Sequence, residues 1–267
     1  MGDFGATAFV PRMDARLKFL LGGCLRQAVL VALSTALAVI TPLQAWAEEG
    51  RGYLDMSGGY KTGDFDTQTD SDLYYLSPTL GYMTPGYDVG ITVPYLSLTN
   101  ETGGVSSSAS GIGDVILRGG KVLVPETGAG FSLSGALSVK LPTADETKSL
   151  GTGEADYGAF LSLHQRLAGA KLSLMAGYIL IGDPPLVDYN DISLYGIGIS
   201  KIFGRTNMYA SIEGRRSVVT GAENPREVNL GFFHILSADY AIKGGAFFGL
   251  NDGGPDFGLN TGIVKWF

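Results

Sequence analysis

Two faces alternate along the last eleven residues of this chain. The odd positions read Phe257, Leu259, Thr261, Ile263, Lys265, Phe267, and the even ones Gly258, Asn260, Gly262, Val264, Trp266. One face is mostly apolar and the other small or polar, the period-two pattern of a β-strand with two different surroundings. Eleven earlier segments show the same period, near Gly52–Lys61, Leu73–Met83, Asp88–Leu98, Gly113–Val124, Gly130–Leu141, Asp156–Leu167, Lys171–Ile181, Asp191–Phe203, Thr206–Arg216, Glu227–Leu236 and Tyr240–Leu250. Each is about as long as a strand needs to be to cross a bilayer at a tilt.

The connections alternate as well. Thr84–Tyr87, Pro125–Gly128, Ala168–Ala170, Gly204–Arg205 and Ser237–Asp239 are tight turns. Between them lie longer polar loops: Thr62–Asp72, Thr99–Ile112, Pro142–Ala155, Gly182–Asn190 and Ser217–Arg226. Short turns at one end and longer loops at the other predict an all-β, transmembrane, antiparallel up-and-down barrel of about 12 strands. An even strand number puts both termini on the short-turn, periplasmic side. A soluble sandwich or lipocalin-like barrel would also alternate, with its apolar face turned inward.

Surface chemistry separates these. The outward set on the sixth segment is Tyr157, Ala159, Leu161, Leu163 and Leu167; on the seventh it is Leu172, Leu174, Ala176, Tyr178 and Leu180. Aromatics gather at strand ends. Tyr60, Tyr74, Tyr95, Tyr157, Tyr178, Tyr195 and Phe257 mark the external end, and Tyr82, Phe131, Phe203, Tyr240, Trp266 and Phe267 the periplasmic one. Two girdles suit rings that sit at headgroup level. Lys121, Lys201 and Lys265 interrupt the apolar face only near the periplasmic ends, where a long side chain can reach the interface. A last strand closing on an aromatic resembles the terminal signature of bacterial outer-membrane barrels and implies the barrel-assembly machinery as a partner.

The N-terminus fits export. Arg12, Arg16, Lys18 and Arg26 precede the apolar run Ala28–Ile40, and Ala45-Trp46-Ala47 supplies small residues for cleavage. Residues 1–47 therefore read as a Sec-type signal peptide, with Met1 or Met13 as start, and 48–267 as a single barrel domain. Removing residues 1–47 takes four of 19 basic and two of 26 acidic residues, leaving 15 against 24, a formal net charge of −9. The acidic balance argues against nucleic acid. The lone Cys24 goes with the leader, so no disulfide, thiolate or Cys-ligated metal remains.

Alternation assigns Asp55, Lys61, Asp114, Arg118, Lys140, Asp156, His164, Arg166, Glu213, Arg215 and Lys243 to the lumen. Six basic and four acidic groups make this interior mildly basic, as ion pairs or as a filter. No catalytic residue is expected: His164 and His234 are followed by neither a serine at two residues nor an Asp-x-His pair, and a nucleophile needs a base within hydrogen-bond reach. Asp64, Asp66, Asp70 and Asp72 lack the Gly and terminal Glu of an EF-hand loop, so a solvated loop is expected, with no metal or cofactor. The Thr99–Ser110 stretch, rich in Gly and Ser, is expected to be a mobile loop.

One stretch carries a family signature. Ser110-Gly-Ile-Gly-Asp-Val-Ile-Leu117, then Val139-Lys-Leu-Pro-Thr-Ala-Asp145, Leu150-Gly-Thr-Gly153 and Asp156-Tyr-Gly158 follow one another. This succession resembles the outer-membrane transporter family named after the meta-pathway of phenol degradation. The resemblance, strongest over Ser110–Leu167, implies an outer-membrane barrel taking up small compounds, often aromatic, and implies no catalytic residues. Twelve strands make a narrow lumen, partly plugged by an inward loop or by Glu48–Arg51. The expected function is a passive outer-membrane channel for a small organic solute, with outer-membrane lipids and lipopolysaccharide as surroundings. The alternatives are a narrow anion pore and a non-conducting structural or adhesive barrel.

Overall fold

The computed structural model describes residues 50–128, 130–184 and 188–267. The expected leader, and Glu48 and Glu49 of the segment after it, lie outside the described residues. Fourteen strand segments form one sheet: β1 (Arg51–Gly63), β2 (Thr69–Met83), β3 (Tyr87–Thr92), β4 (Tyr95–Thr102), β5 (Val105–Ile112), β6 (Val115–Val124), β7 (Phe131–Leu141), β8 (Asp156–Leu167), β9 (Ala170–Leu180), β10 (Ile192–Phe203), β11 (Thr206–Arg215), β12 (Arg226–Ile235), β13 (Tyr240–Gly249) and β14 (Phe257–Trp266).

Two pairs of segments are single staves with a break. Val93-Pro94 separates β3 from β4, and Gly113-Asp114 separates β5 from β6. Proline cannot donate to the ladder, so the stave breaks there. Below the break β2 pairs with β3, and above it with β4. Counted as staves, the wall is a closed antiparallel 12-strand barrel. It closes through β1, which pairs with β2 on one side and β14 on the other, for example Tyr53 opposite both Gly81 and Trp266.

The expected mobile loop at Thr99–Ser110 is instead part of a hairpin. β4 and β5 pair from Tyr95↔Ile112 to Thr102↔Val105, and Gly103 and Gly104 turn the chain at φ +58° and +79°. The run Ser106–Ser110 contributes backbone hydrogen bonds rather than buried side chains, so its polarity concealed a strand.

Side chains sort as a lipid-facing wall requires. Leu161, Leu174 and Ile199 are 52%, 44% and 54% exposed, whereas Phe160 and Ile179 on the other face are 4% and 2% exposed. Burying one such side chain is worth about 1.5–3 kcal/mol, so a continuous uncovered apolar band demands an apolar surrounding. Glycines let rings lie across neighbouring strands. A Cβ on Gly258 would fall 1.9 Å from the ring of Phe247, its cross-strand partner.

Three apolar clusters fill parts of the interior. At the periplasmic end Tyr53, Met83, Phe233, Ala241, Val264 and Trp266 pack together, with Phe233 and Trp266 edge to face at 6.2 Å. Trp266, expected in the interfacial girdle, therefore points inward and is 6% exposed. The cause is parity: it shares a face with Val264 and Gly262, while Phe267 is 65% exposed. The other clusters draw external loops inward. Leu150 packs on Leu73, Leu96 and Leu98, and Ile181, Tyr189 and Val218 pack with Ile116, Phe160, Ile179 and Ile192.

Candidate functional site: the lumen

The charged residues assigned to the inside come together mainly as pairs. Lys140 Nζ lies 3.0 Å from Asp114 and 3.1 Å from Asp156, all three buried. The same carboxylates hold two loops: Asp114 accepts from the Thr143 and Ala144 amides, and Asp156 from the Gly182 amide. Lys243 bonds to Asp55, which also accepts from Ser57. Arg118 pairs with Asp88. Arg215 Nη1 lies 3.7 Å from Glu227, and Ser211 donates to Glu213. Lys61, 1% exposed, places its ammonium 5.6 Å from the Tyr75 ring and 5.3 Å from that of Phe247. Arg166 sits at the periplasmic mouth, its side chain 62% exposed, bonded at 2.6 Å to Glu126, which also faces Lys171 at 3.7 Å.

Asp88, Glu227 and Glu126 were not among the expected residues. Asp88 and Glu227 are second residues of their strands, and period two carried to the strand's start puts both inside. With them, and with Glu126 and Lys171 at the mouth counted, seven carboxylates face seven cations, so the expected basic surplus disappears. Glu126 lies in a turn, where alternation carries no signal.

A cavity of about 360 Å³ lies against β8–β11. Its inward-facing lining is small and polar: Ser162, Ser173, Ser200 and Ser211, with Met175, Tyr209 and the bare backbone of Gly196 and Gly198. Glu126, Arg166 and Lys171 border it at the periplasmic mouth. Register explains the grouping. Gly196 pairs with Met175 and Glu213, Gly198 with Ser173 and Ser211, and Ser200 with Lys171 and Tyr209.

His164 also lines the cavity, and its Nδ1 lies 2.8 Å from Ser173 Oγ. Catalysis by such a pair needs a third group to orient the imidazole through its other nitrogen. Nε2 is buried and has no hydrogen-bond partner among the described residues. His234 pairs with Thr206 at 2.7 Å. Among the described residues no group of three or more His, Cys, Asp or Glu side chains could hold a metal ion. In the external acidic loop Asp64 accepts from the Asp66 amide, Asp66 from the Glu223 amide, and Asp72 from the Tyr60 hydroxyl.

At the outer face Lys121, Lys201 and Lys265 are exposed near the periplasmic ends. Lys201 lies 5.5 Å from the ring of Phe203, and Lys265 5.8 Å from that of Tyr240. Tyr82, Tyr178 and Tyr195 are 41%, 48% and 58% exposed on the outer face.

No match was found among curated protein sequences. Among solved structures, the chain is similar to an outer-membrane channel from Pseudomonas putida F1, at a TM-score of 0.68 and 14% identity over 82% of this chain and 96% of that one. It is also similar to the KdgM porin solved with oligogalacturonate, at 0.52 and 9% identity over 80% of this chain and 99% of that one. The translocator domain of the autotransporter NalP from Neisseria meningitidis matches at 0.53 and 11% identity, over 90% and 98%. At these identities the likeness is one of fold, the 12-strand barrel; none of the three is described as an enzyme. The sequence itself matches a family model over residues 54–199, more than half of the chain, and so the chain belongs to the family described as "Putative MetA-pathway of phenol degradation".

Proposed function

We propose that the chain is a passive channel for small organic solutes, aromatic ones among them, across the bacterial outer membrane. The observation that carries this reading is the cavity along β8–β11, in an interior that also holds apolar clusters and ion pairs. Its serine hydroxyls, Tyr209 and bare glycine backbone offer a small solute hydrogen bonds and a flat floor. Family membership and the fold shared with outer-membrane channels support it. The apolar outer band supports placement in a bilayer, and the leader-like N-terminus supports export to it.

The lumen charges serve chiefly as braces. Seven cations facing seven carboxylates give little net field, so discrimination between a neutral solute and its anion should be weak. The test is reconstitution of the purified chain in planar bilayers and liposomes. Discrete conductance steps and uptake of phenol at least as fast as of benzoate are expected. A barrel that folds but passes neither ions nor solute would establish a structural protein instead, and strong preference for benzoate would favour the anion pore.

A further inference from the structure

The register places two arginines on the outer face at the external rim. Tyr195 pairs with Gly214, and Gly214 with Arg226, so these three lie in one outward row. Gly214 has no side chain, and the Tyr195 ring lies across it: a Cβ there would fall 2.7 Å from that ring. The next row toward the loop holds Tyr178 beside Ser193, and the Arg216 amide bonds to the Ser193 carbonyl. Arg216 and Arg226 thus stand beside Tyr178 and Tyr195.

Between the arginines the loop after β11 folds back to leave a pocket of about 440 Å³. A third arginine, Arg215, also borders it and is paired with Glu227. The other walls are neutral, including Asn190, Ser217, Thr220 and Asn224, and no carboxylate lines it. Arg216 donates to Asn190 Oδ1 at 2.6 Å, an uncharged partner. Among the described residues, neither Arg216 nor Arg226 has a carboxylate within ion-pair distance. The nearby Asp191 is occupied by the Tyr178 hydroxyl and the Ile181 amide. Most inward cations lean on carboxylates or rings; these two are left with charge unmatched.

We infer that this rim pocket binds the phosphate of an outer-leaflet lipid, the phosphorylated glucosamine headgroup of lipopolysaccharide. Guanidinium forks match phosphate oxygens with paired, charge-assisted hydrogen bonds. The flanking tyrosines set the depth, since such rings sit at headgroup level. The lipid is favoured over a free anion because Arg226 stands in the outward row with Tyr195, on the face turned to the bilayer. The inference rests on the proposed outer-membrane placement, which cell fractionation tests separately.

The experiment uses the purified full chain in detergent, with native mass spectrometry as readout. The probes are bis-phosphorylated lipid A, the same lipid without phosphates, and inorganic phosphate. Wild type should retain the phosphorylated lipid, and Arg216→Gln with Arg226→Gln should bind it about tenfold more weakly or worse. Arg205→Gln, at a periplasmic turn, should bind as wild type does. Heat-modifiable migration on gels checks folding. Should the double variant not fold, Arg226→Gln alone carries the test, because its guanidinium makes no hydrogen bond or ion pair among the described residues. Equal retention of both lipids, unchanged binding by the variant, or displacement by inorganic phosphate at equal concentration would each overturn the inference.

Discussion

Two sides of one wall do different things with the same alternation. On the side formed by β12, β13, β14, β1 and β2, the inward positions near the periplasm carry Phe233, Val264, Trp266, Tyr53 and Met83, and the space is closed. On the side formed by β8–β11, inward positions carry Ser173, Gly198, Ser200 and Ser211, and a cavity remains. Glycines show the contrast most plainly. Gly258 and Gly231 lie beneath the rings of Phe247 and Tyr209, so the missing side chain is replaced by an aromatic. Gly196 and Gly198 have no ring over them, and a Cβ there would meet only Glu213, Met175 or the neighbouring strand. Inward side-chain size, rather than strand number, decides where this barrel is open.

That contrast can be broken by substitution. Trp266→Ala or Phe233→Ala, in the filled side, should cost about 3–5 kcal/mol by leaving a cavity. Ser200→Ala, in the open side, should stay within about 0.5 kcal/mol. Denaturant unfolding in micelles checks both, and equal costs would mean the open side is packed as tightly as the filled one.

The ion-pair brace across neighbouring strands β6–β8 is expected to matter nearly as much. Lys140→Met strands Asp114 and Asp156, both buried, and should cost about 3–5 kcal/mol. Because those carboxylates hold the loops at Thr143 and Gly182, limited proteolysis should cut there first. Unchanged loop protection would show that apolar packing by Leu150 and Tyr189 suffices.

Outside the wall the effects shrink toward the interface. Leu174→Arg, near mid-bilayer, should cost about 2–4 kcal/mol, and Lys201→Ala less than about 1 kcal/mol. Similar costs at both would contradict the assigned depth.

The smallest effect concerns an external loop. Asp256 has its pKa raised above the ordinary carboxylate value, first by desolvation and then by Asp64, Asp252 and Asp70. A raised folded-state pKa means the proton is bound more tightly in the folded state, so this contribution to stability is present at low pH and lost as pH rises through the folded pKa. Asp256→Asn should therefore raise the thermal midpoint slightly at pH 7, and the gain should vanish below the unfolded carboxylate range. A lower midpoint at pH 7 would contradict it.

Most of the fold was legible because alternation and turn length are local. The segment Asp156–Leu167 appears with the bounds the sequence suggests, and Leu161 and Leu174 face out as period two requires. The hairpin at Val105–Ile112 was hidden because its strands are held by backbone bonds that serine does not advertise. Trp266 points inward because parity with Val264 and Gly262, rather than aromatic character at a strand end, sets its face. The lumen charges were legible as a set but not as pairs: Lys140 meets Asp114 and Asp156 across strands 26 and 16 residues apart, a distance set by register alone. The cavity depends on which inward residues are small on adjacent strands, a sum no single segment reveals.

In the proposed channel, solute passes along β8–β11. Single-channel conductance in planar bilayers tests it with Ser200→Phe plus Ser211→Phe, set against Phe233→Ala on the filled side. The double variant should lose conductance and solute passage while keeping heat-modifiable folding, and Phe233→Ala should conduct as wild type or better. Undiminished conductance in the double variant, with conductance abolished or rerouted by Phe233→Ala, would contradict the account.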